Sequence, residues 1–219
     1  MKRLCFTFTA LSMLGMTNMF GSPIGTCAAG ALSTYIGNSC TLGDKMFDSF
    51  TYTGNVAAAN VNIDFQMVGT EFRLILAPVT NAGFFTSLSF TDSITVLPVA
   101  PNVSPANYQI TGVKDQSNFS LAAGSSGLLH IVNSPGATYD LVPGSETGGP
   151  TNITPTKSVM TTATLTGLGG VGAANPGLSS FELGYIQSNT AVPEPASFAL
   201  IGLGLLGLGV FRRRPKQNV

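Results

Sequence analysis

The chain lacks tryptophan altogether, has one histidine and three cysteines in 219 residues, and carries charge on only 9% of its side chains. Soluble proteins ordinarily carry about 25%. Each shortage excludes something. A lone histidine, His130, leaves no zinc site of the H-E-x-x-H kind, which needs two on one helix face. Without tryptophan, a sugar-binding face would lack the largest aromatic platform. No serine sits in a G-x-S-x-G elbow, and no acids follow calcium-loop spacing. The residues therefore point to no catalytic group, no metal site and no cofactor. Nor does any interior window show a 3.6-residue apolar stripe, so helices are expected to be few and short.

What charge there is has a pattern. Six of the ten basic residues lie at the two ends: Lys2, Arg3, Arg212, Arg213, Arg214 and Lys216. Between them Lys45, Arg73, Lys114 and Lys157 face ten acidic residues, a net charge of −6. Such a body repels phosphate backbones, which argues against nucleic acid as a partner.

The basic ends frame apolar segments. Lys2 and Arg3 precede an uncharged, largely apolar stretch over 4–20, and small residues Gly21, Ser22 and Gly25 follow. This is the three-part order of a secretory signal peptide, assigned to residues 1–25, with a cut anywhere from 21 to 31 fitting the pattern. Cys5 leaves with that segment, so Cys27 and Cys40 remain as an even pair. In an oxidising compartment they are expected to close a short disulfide loop, contributing about 3 kcal/mol in the chain-entropy model. Two other readings stay open. Ile24-Gly25-Thr26-Cys27 resembles a lipoprotein acylation site with threonine where a smaller residue is preferred, and a cut beyond Cys27 would remove the pair.

Residues 26–187 read as one extracytoplasmic β domain. Val61, Ile63, Phe65 and Met67 alternate with Asn62, Asp64 and Gln66, and Phe72, Leu74 and Leu76 share one parity beyond a Val68-Gly69-Thr70 turn. This is a hairpin signature. Further strands are expected at 46–52, 86–97, 108–113, 128–132, 159–165 and 180–186, separated by Gly, Pro and Asn clusters. About eight short strands imply a mainly β, antiparallel sandwich or jelly roll. Residues 143–155 are expected to form a long surface loop, as is the glycine-rich stretch 167–172, and 187–192 a polar tether.

Beyond the tether, residues 188–219 form a tail of three parts. Pro193-Glu194-Pro195 comes first, then sixteen uncharged residues over 196–211, then Arg212, Arg213 and Arg214. As a helix the uncharged run spans roughly 24 Å, short for a hydrocarbon core of about 30 Å, with the arginines able to snorkel. The positive-inside rule leaves the arginines cytoplasmic and the β domain outside. Gly202, Gly204 and Gly207 match G-x-G-x-x-G, but no acid and no further element follow them, so they read as membrane-helix glycines.

This ordered trio resembles the PEP-CTERM sorting signal of Gram-negative bacteria. The resemblance implies recognition of Pro193, Glu194 and Pro195 by an exosortase, an inner-membrane intermediate held by 196–211, and a cytoplasmic stop at Arg212, Arg213 and Arg214. It also implies delivery to the cell surface and association with exopolysaccharide. The segments Cys40-Thr-Leu-Gly-Asp-Lys-Met-Phe47 and Ser180-Phe-Glu-Leu-Gly-Tyr-Ile186 resemble the opening and closing strands of small proteins with this tail. The expected function is thus an exported, non-enzymatic envelope or matrix protein. The first alternative is a surface carbohydrate- or ice-binding module, the latter from the row Thr162, Thr164 and Thr166. The second is a surface hydrolase, built on a carboxylate pair assembled by the fold or on His130.

Overall fold

The computed structural model describes residues 22–97, 108–120, 126–169 and 177–189. Thirteen strands run through them: β1 (Ser22–Thr26), β2 (Gly30–Ala31), β3 (Asn38–Leu42), β4 (Lys45–Gly54), β5 (Val61–Val68), β6 (Glu71–Pro78), β7 (Leu88–Val96), β8 (Tyr108–Ser120), β9 (Ser126–Ser134), β10 (Thr138–Leu141), β11 (Thr147–Thr156), β12 (Ser158–Gly169) and β13 (Gly177–Asn189). Helix among the described residues amounts to two 3-10 turns, Leu32–Thr34 and Ala58–Asn60. None of it is long and apolar enough to cross a membrane. The expected signal segment over 1–21, the span over 196–211, the sorting motif and the three arginines lie outside the described residues.

The hairpin read from the sequence is β5–β6, in register from Val61↔Pro78 to Val68↔Glu71. Gly69 reverses the chain at φ +64°, a region where a side chain is costly. Seven strands form one sheet in the order β1-β3-β4-β7-β12-β9-β10, and six form a second, β11-β8-β13-β6-β5-β2. Neighbours are antiparallel except β1, which runs parallel to β3 along the first sheet's edge. Alternation puts Phe90, Ile94, Leu129, Ile131, Val159 and Ala163 of the first sheet opposite Ile63, Phe65, Leu74, Val113, Phe181 and Leu183 of the second, all buried. Edge-to-face rings stitch the sheets together, with Phe47 5.2 Å from Phe65 and Phe90 6.0 Å from Phe181.

Several expectations differ from what is found. The strands number thirteen rather than about eight, because β1, β2, β3, β10 and β11 carry little alternation, and β8, β12 and β13 run longer than expected. Residues 143–155 are not one long loop, since most of them belong to β11, an edge strand paired to β8 alone through two register shifts. Its residues are mainly exposed, and Pro150 is tolerated where no second neighbour needs its missing N–H. Finally, the tether does not begin at 187: β13 continues to Asn189 and Gln187 is buried. The 167–172 stretch likewise starts as strand, β12 running to Gly169. At the other end β1 starts at Ser22, with all five residues exposed.

Candidate functional site

Five polar side chains lie between the sheets. Asp92 (β7), Thr161 (β12) and Asn133 (β9) form one rung of the first sheet, because Thr161 is in register with both of the others. Tyr185 (β13) and Asp115 (β8) point at them from the second sheet, and all five are buried. The Tyr185 hydroxyl lies 3.0 Å from Asp92 Oδ2 and 2.8 Å from Thr161 Oγ1. Thr161 Oγ1 is 2.8 Å from Asn133 Oδ1, and Asn133 Nδ2 is 2.8 Å from Asp115 Oδ2. The other carboxylate oxygens, Asp92 Oδ1 and Asp115 Oδ1, meet no hydrogen-bond partner. Burial pushes the Asp92 carboxyl up to about 8, against the pull of the Tyr185 contact and helped by Asp115 and Asp48. Burial likewise raises Asp115 to about 7, while Asn133 and the Gly184 backbone draw it down and Glu182 adds to the rise. Tyr185 is driven well above its ordinary value, chiefly by burial and then by Asp92.

A second buried polar group sits where β4 begins. Lys45 is fully buried, 2.6 Å from Asp44 Oδ1, bonded to Gln187 Oε1, and 4.4 Å from the centre of the Phe72 ring. Gln187 Nε2 in turn donates to Asp44 Oδ2 at 3.1 Å. Burial lowers the Lys45 pKa and the Asp44 hydrogen bond opposes this. The cluster joins the first and last long strands of the domain, a structural tie rather than a reactive centre.

Two outer surfaces are candidates for contact. A groove of about 410 Å³ crosses β6, β13 and β8, lined by Ile75, Gln116, Asn118, Ser180, Glu182 and Glu146 among others. Register builds its floor, with Glu182 beside both Ile75 and Gln116, and Ser180 beside Asn118. Amide, hydroxyl and carboxylate groups around a small apolar floor suit a polyhydroxylated ligand. Both carboxylates are already engaged, Glu146 by the Phe119 amide at 3.1 Å and Glu182 by Arg73 at 3.4 Å.

The outer face of the first sheet is rich in hydroxyls. Thr162 is in register with Thr91, which pairs with Thr51, while Thr164 faces Ser89, which pairs with Thr53. The row expected on β12 is therefore part of a wider grid, with Thr162 Oγ1 3.4 Å from Thr91 Oγ1. His130 lies on this face too, in register with Thr164, and its Nδ1 is 2.6 Å from Asp140 Oδ1. Both side chains are well exposed, at 44% and 63%. This gives His130 an acid partner on an exposed surface.

Cys27 and Cys40, the pair expected to close a short loop, are joined as a disulfide. The loop they close is plugged by Tyr35, whose hydroxyl bonds the Ala28 backbone and whose ring packs 5.0 Å from Phe65. The sequence reading missed the buried acids, yet a signal was present. Asp92 shares parity with Phe90 and Ile94, Thr161 with Val159 and Ala163, and Tyr185 with Phe181 and Leu183. Among the described residues, no group of three or more His, Cys, Asp or Glu side chains is placed to hold a metal ion.

Comparison with known families bears on the tail. Residues 191–214 match the model of the PEP-CTERM protein-sorting motif. The match takes in Pro193, Glu194 and Pro195 at its start and Arg212, Arg213 and Arg214 at its end. A search of the curated proteins finds no match to the chain. The chain thus carries a PEP-CTERM sorting signal, which marks an exported, exosortase-processed protein of the cell envelope.

Proposed function

We propose that this PEP-CTERM-tailed chain is a non-enzymatic envelope or matrix protein of a Gram-negative bacterium, released by an exosortase and retained among exopolysaccharide. One observation carries the reading: the sorting-motif match at 191–214 coincides with the Pro-Glu-Pro, apolar and arginine segments in order. In the inner membrane, 196–211 would span the bilayer with Arg212, Arg213 and Arg214 inside, and Pro193, Glu194 and Pro195 would meet the enzyme on the outer side. A disulfide supports an oxidising destination. Replacing Pro193 and Pro195 with alanine in the full chain tests the sorting step. The account expects unprocessed protein to accumulate in the inner membrane; unchanged processing and surface delivery would overturn it.

A second reading, a carbohydrate-binding module delivered by the same signal, is favoured by the groove over β6, β13 and β8. The full chain would be retained on secreted polysaccharide, and Gln116→Ala with Asn118→Ala would release it several-fold faster. Retention no greater than that of an unrelated acidic protein would remove this reading. Turnover of the glycan, abolished by Glu182→Gln, would instead favour a hydrolase.

A further inference from the structure

The buried chain from Asp92 to Asp115 has four contacts and too few protons to make them all. Tyr185 and Thr161 each own one hydroxyl hydrogen, and the Asn133 amide can donate into only one of its two contacts. With both carboxyls ionised, three donors must serve four oxygen–oxygen or oxygen–nitrogen pairs at 2.8–3.0 Å. One pair would then face lone pair to lone pair in a site without water-like screening, an arrangement that buried polar groups avoid.

We propose that Asp92 and Asp115 hold one proton in common through this chain, and that withdrawing it loosens the seam between the two sheets. The proton completes the count from either end. On Asp92 it is donated to Tyr185, which donates to Thr161, which donates to Asn133, whose amide donates to Asp115. On Asp115 every bond runs in the opposite sense, with the Asn133 amide turned over; the heavy-atom positions are the same in both. Three of the four contacts cross from one sheet to the other, since Asp92, Thr161 and Asn133 belong to the first sheet and Tyr185 and Asp115 to the second. The charged groups acting on the pair are acidic: Asp48 from β4 and Asp115 itself on Asp92, and Glu182 from β13 on Asp115. Tyr139 from β10 also faces Asp115. A second negative charge between the sheets is therefore favoured only by the Tyr185, Asn133 and Gly184 hydrogen bonds, which burial outweighs.

The sign of the effect follows from linkage. Both carboxyls hold protons more tightly in the folded chain than in the unfolded one, where aspartate titrates near about 3.9. The contribution of the shared proton is complete in acid and is lost progressively as pH rises from the unfolded carboxyl value toward the raised folded range of about 7 to about 8. An exported domain meets the pH of its surroundings directly, so the seam is tightest in acidic conditions.

Urea unfolding of the full-length chain, followed from about pH 5 to about pH 9, reads this directly. The unfolding constant of the wild type is expected to rise at least about tenfold, the change produced by a one-unit displacement of a single carboxyl. Asp92→Asn supplies an amide hydrogen in place of the acid proton, so its rise is expected to fall to a small fraction of the wild-type one. A flat wild-type profile, or an Asp92→Asn profile as steep as the wild type, would overturn the proposal. Should the variant not fold, the infrared carbonyl stretch of the native wild type at about pH 7 decides the question. A protonated carboxyl must be present; a spectrum of carboxylates alone contradicts the shared proton.

Discussion

Tyr185 is the residue on which the interior turns, because its single hydroxyl meets Asp92 and Thr161 at once. Its ring packs 6.3 Å from Phe47 and would be kept by phenylalanine, so Tyr185→Phe isolates the hydroxyl. The substitution strands Asp92 Oδ2 without its partner in a fully buried site. Leaving such a group unsatisfied costs roughly 1–3 kcal/mol. The urea midpoint of the full chain should fall accordingly, with the loss greatest in alkali, where the stranded carboxyl ionises. A midpoint equal to the wild type at every pH would show that the chain of contacts contributes nothing. At this scale the sequence was half legible. The inward direction of Asp92 follows from its parity with Phe90 and Ile94, but its partners lie 69 and 93 positions away, at Thr161 and Tyr185, and only strand register brings them together. Cys27 and Cys40 were readable because the pair is local, only thirteen positions apart.

Among the elements, the β5–β6 hairpin is the one whose form follows most directly from its residues. Alternation sets its faces, and Gly69 at φ +64° sets its turn. A side chain there must adopt the left-handed region, at about 1–2 kcal/mol. Nothing lies within 4 Å of where a Cβ would stand, so Gly69→Ala tests conformation without a clash. Thermal unfolding should show a loss of about that size, and an unchanged melting temperature would mean that the turn relaxes at no cost. The elements that escaped notice are those that do not bury a face of their own. β1 is exposed throughout, β2 has two residues, and β11 is an edge carrying Pro150. Each owes its conformation to backbone pairing with a neighbour, and pairing leaves no period in the sequence. The hydroxyl grid on the outer face shows the same limit. Thr162 and Thr164 were visible as a row on β12, whereas Thr91 and Thr51 join it only through register across β7 and β4.

At the scale of the whole molecule, the chain joins a β-rich body to a C-terminal sorting signal. The body carries ten acidic residues less Glu194, the tail three consecutive arginines, and the charge split follows the direction in which a membrane is crossed. The β sandwich was legible as a class because its strands bury one face each. The sorting signal was legible because Pro-Glu-Pro, an uncharged run and arginines follow one another in that order within one short segment. The groove over β6, β13 and β8 has no such local code, since it is assembled from three strands far apart in sequence.

The central claim is that the tail is removed at the Pro-Glu-Pro motif on the way to the surface. The intact mass of the protein recovered from the surface of its own cells tests it most directly, beside a chain with both Pro193→Ala and Pro195→Ala. The wild type should end near Pro193, Glu194 and Pro195, without the apolar run and the three arginines, and the variant should stay in the inner membrane with its tail attached. Surface protein that still carries Arg212, Arg213 and Arg214, or a variant trimmed and delivered like the wild type, would contradict the account.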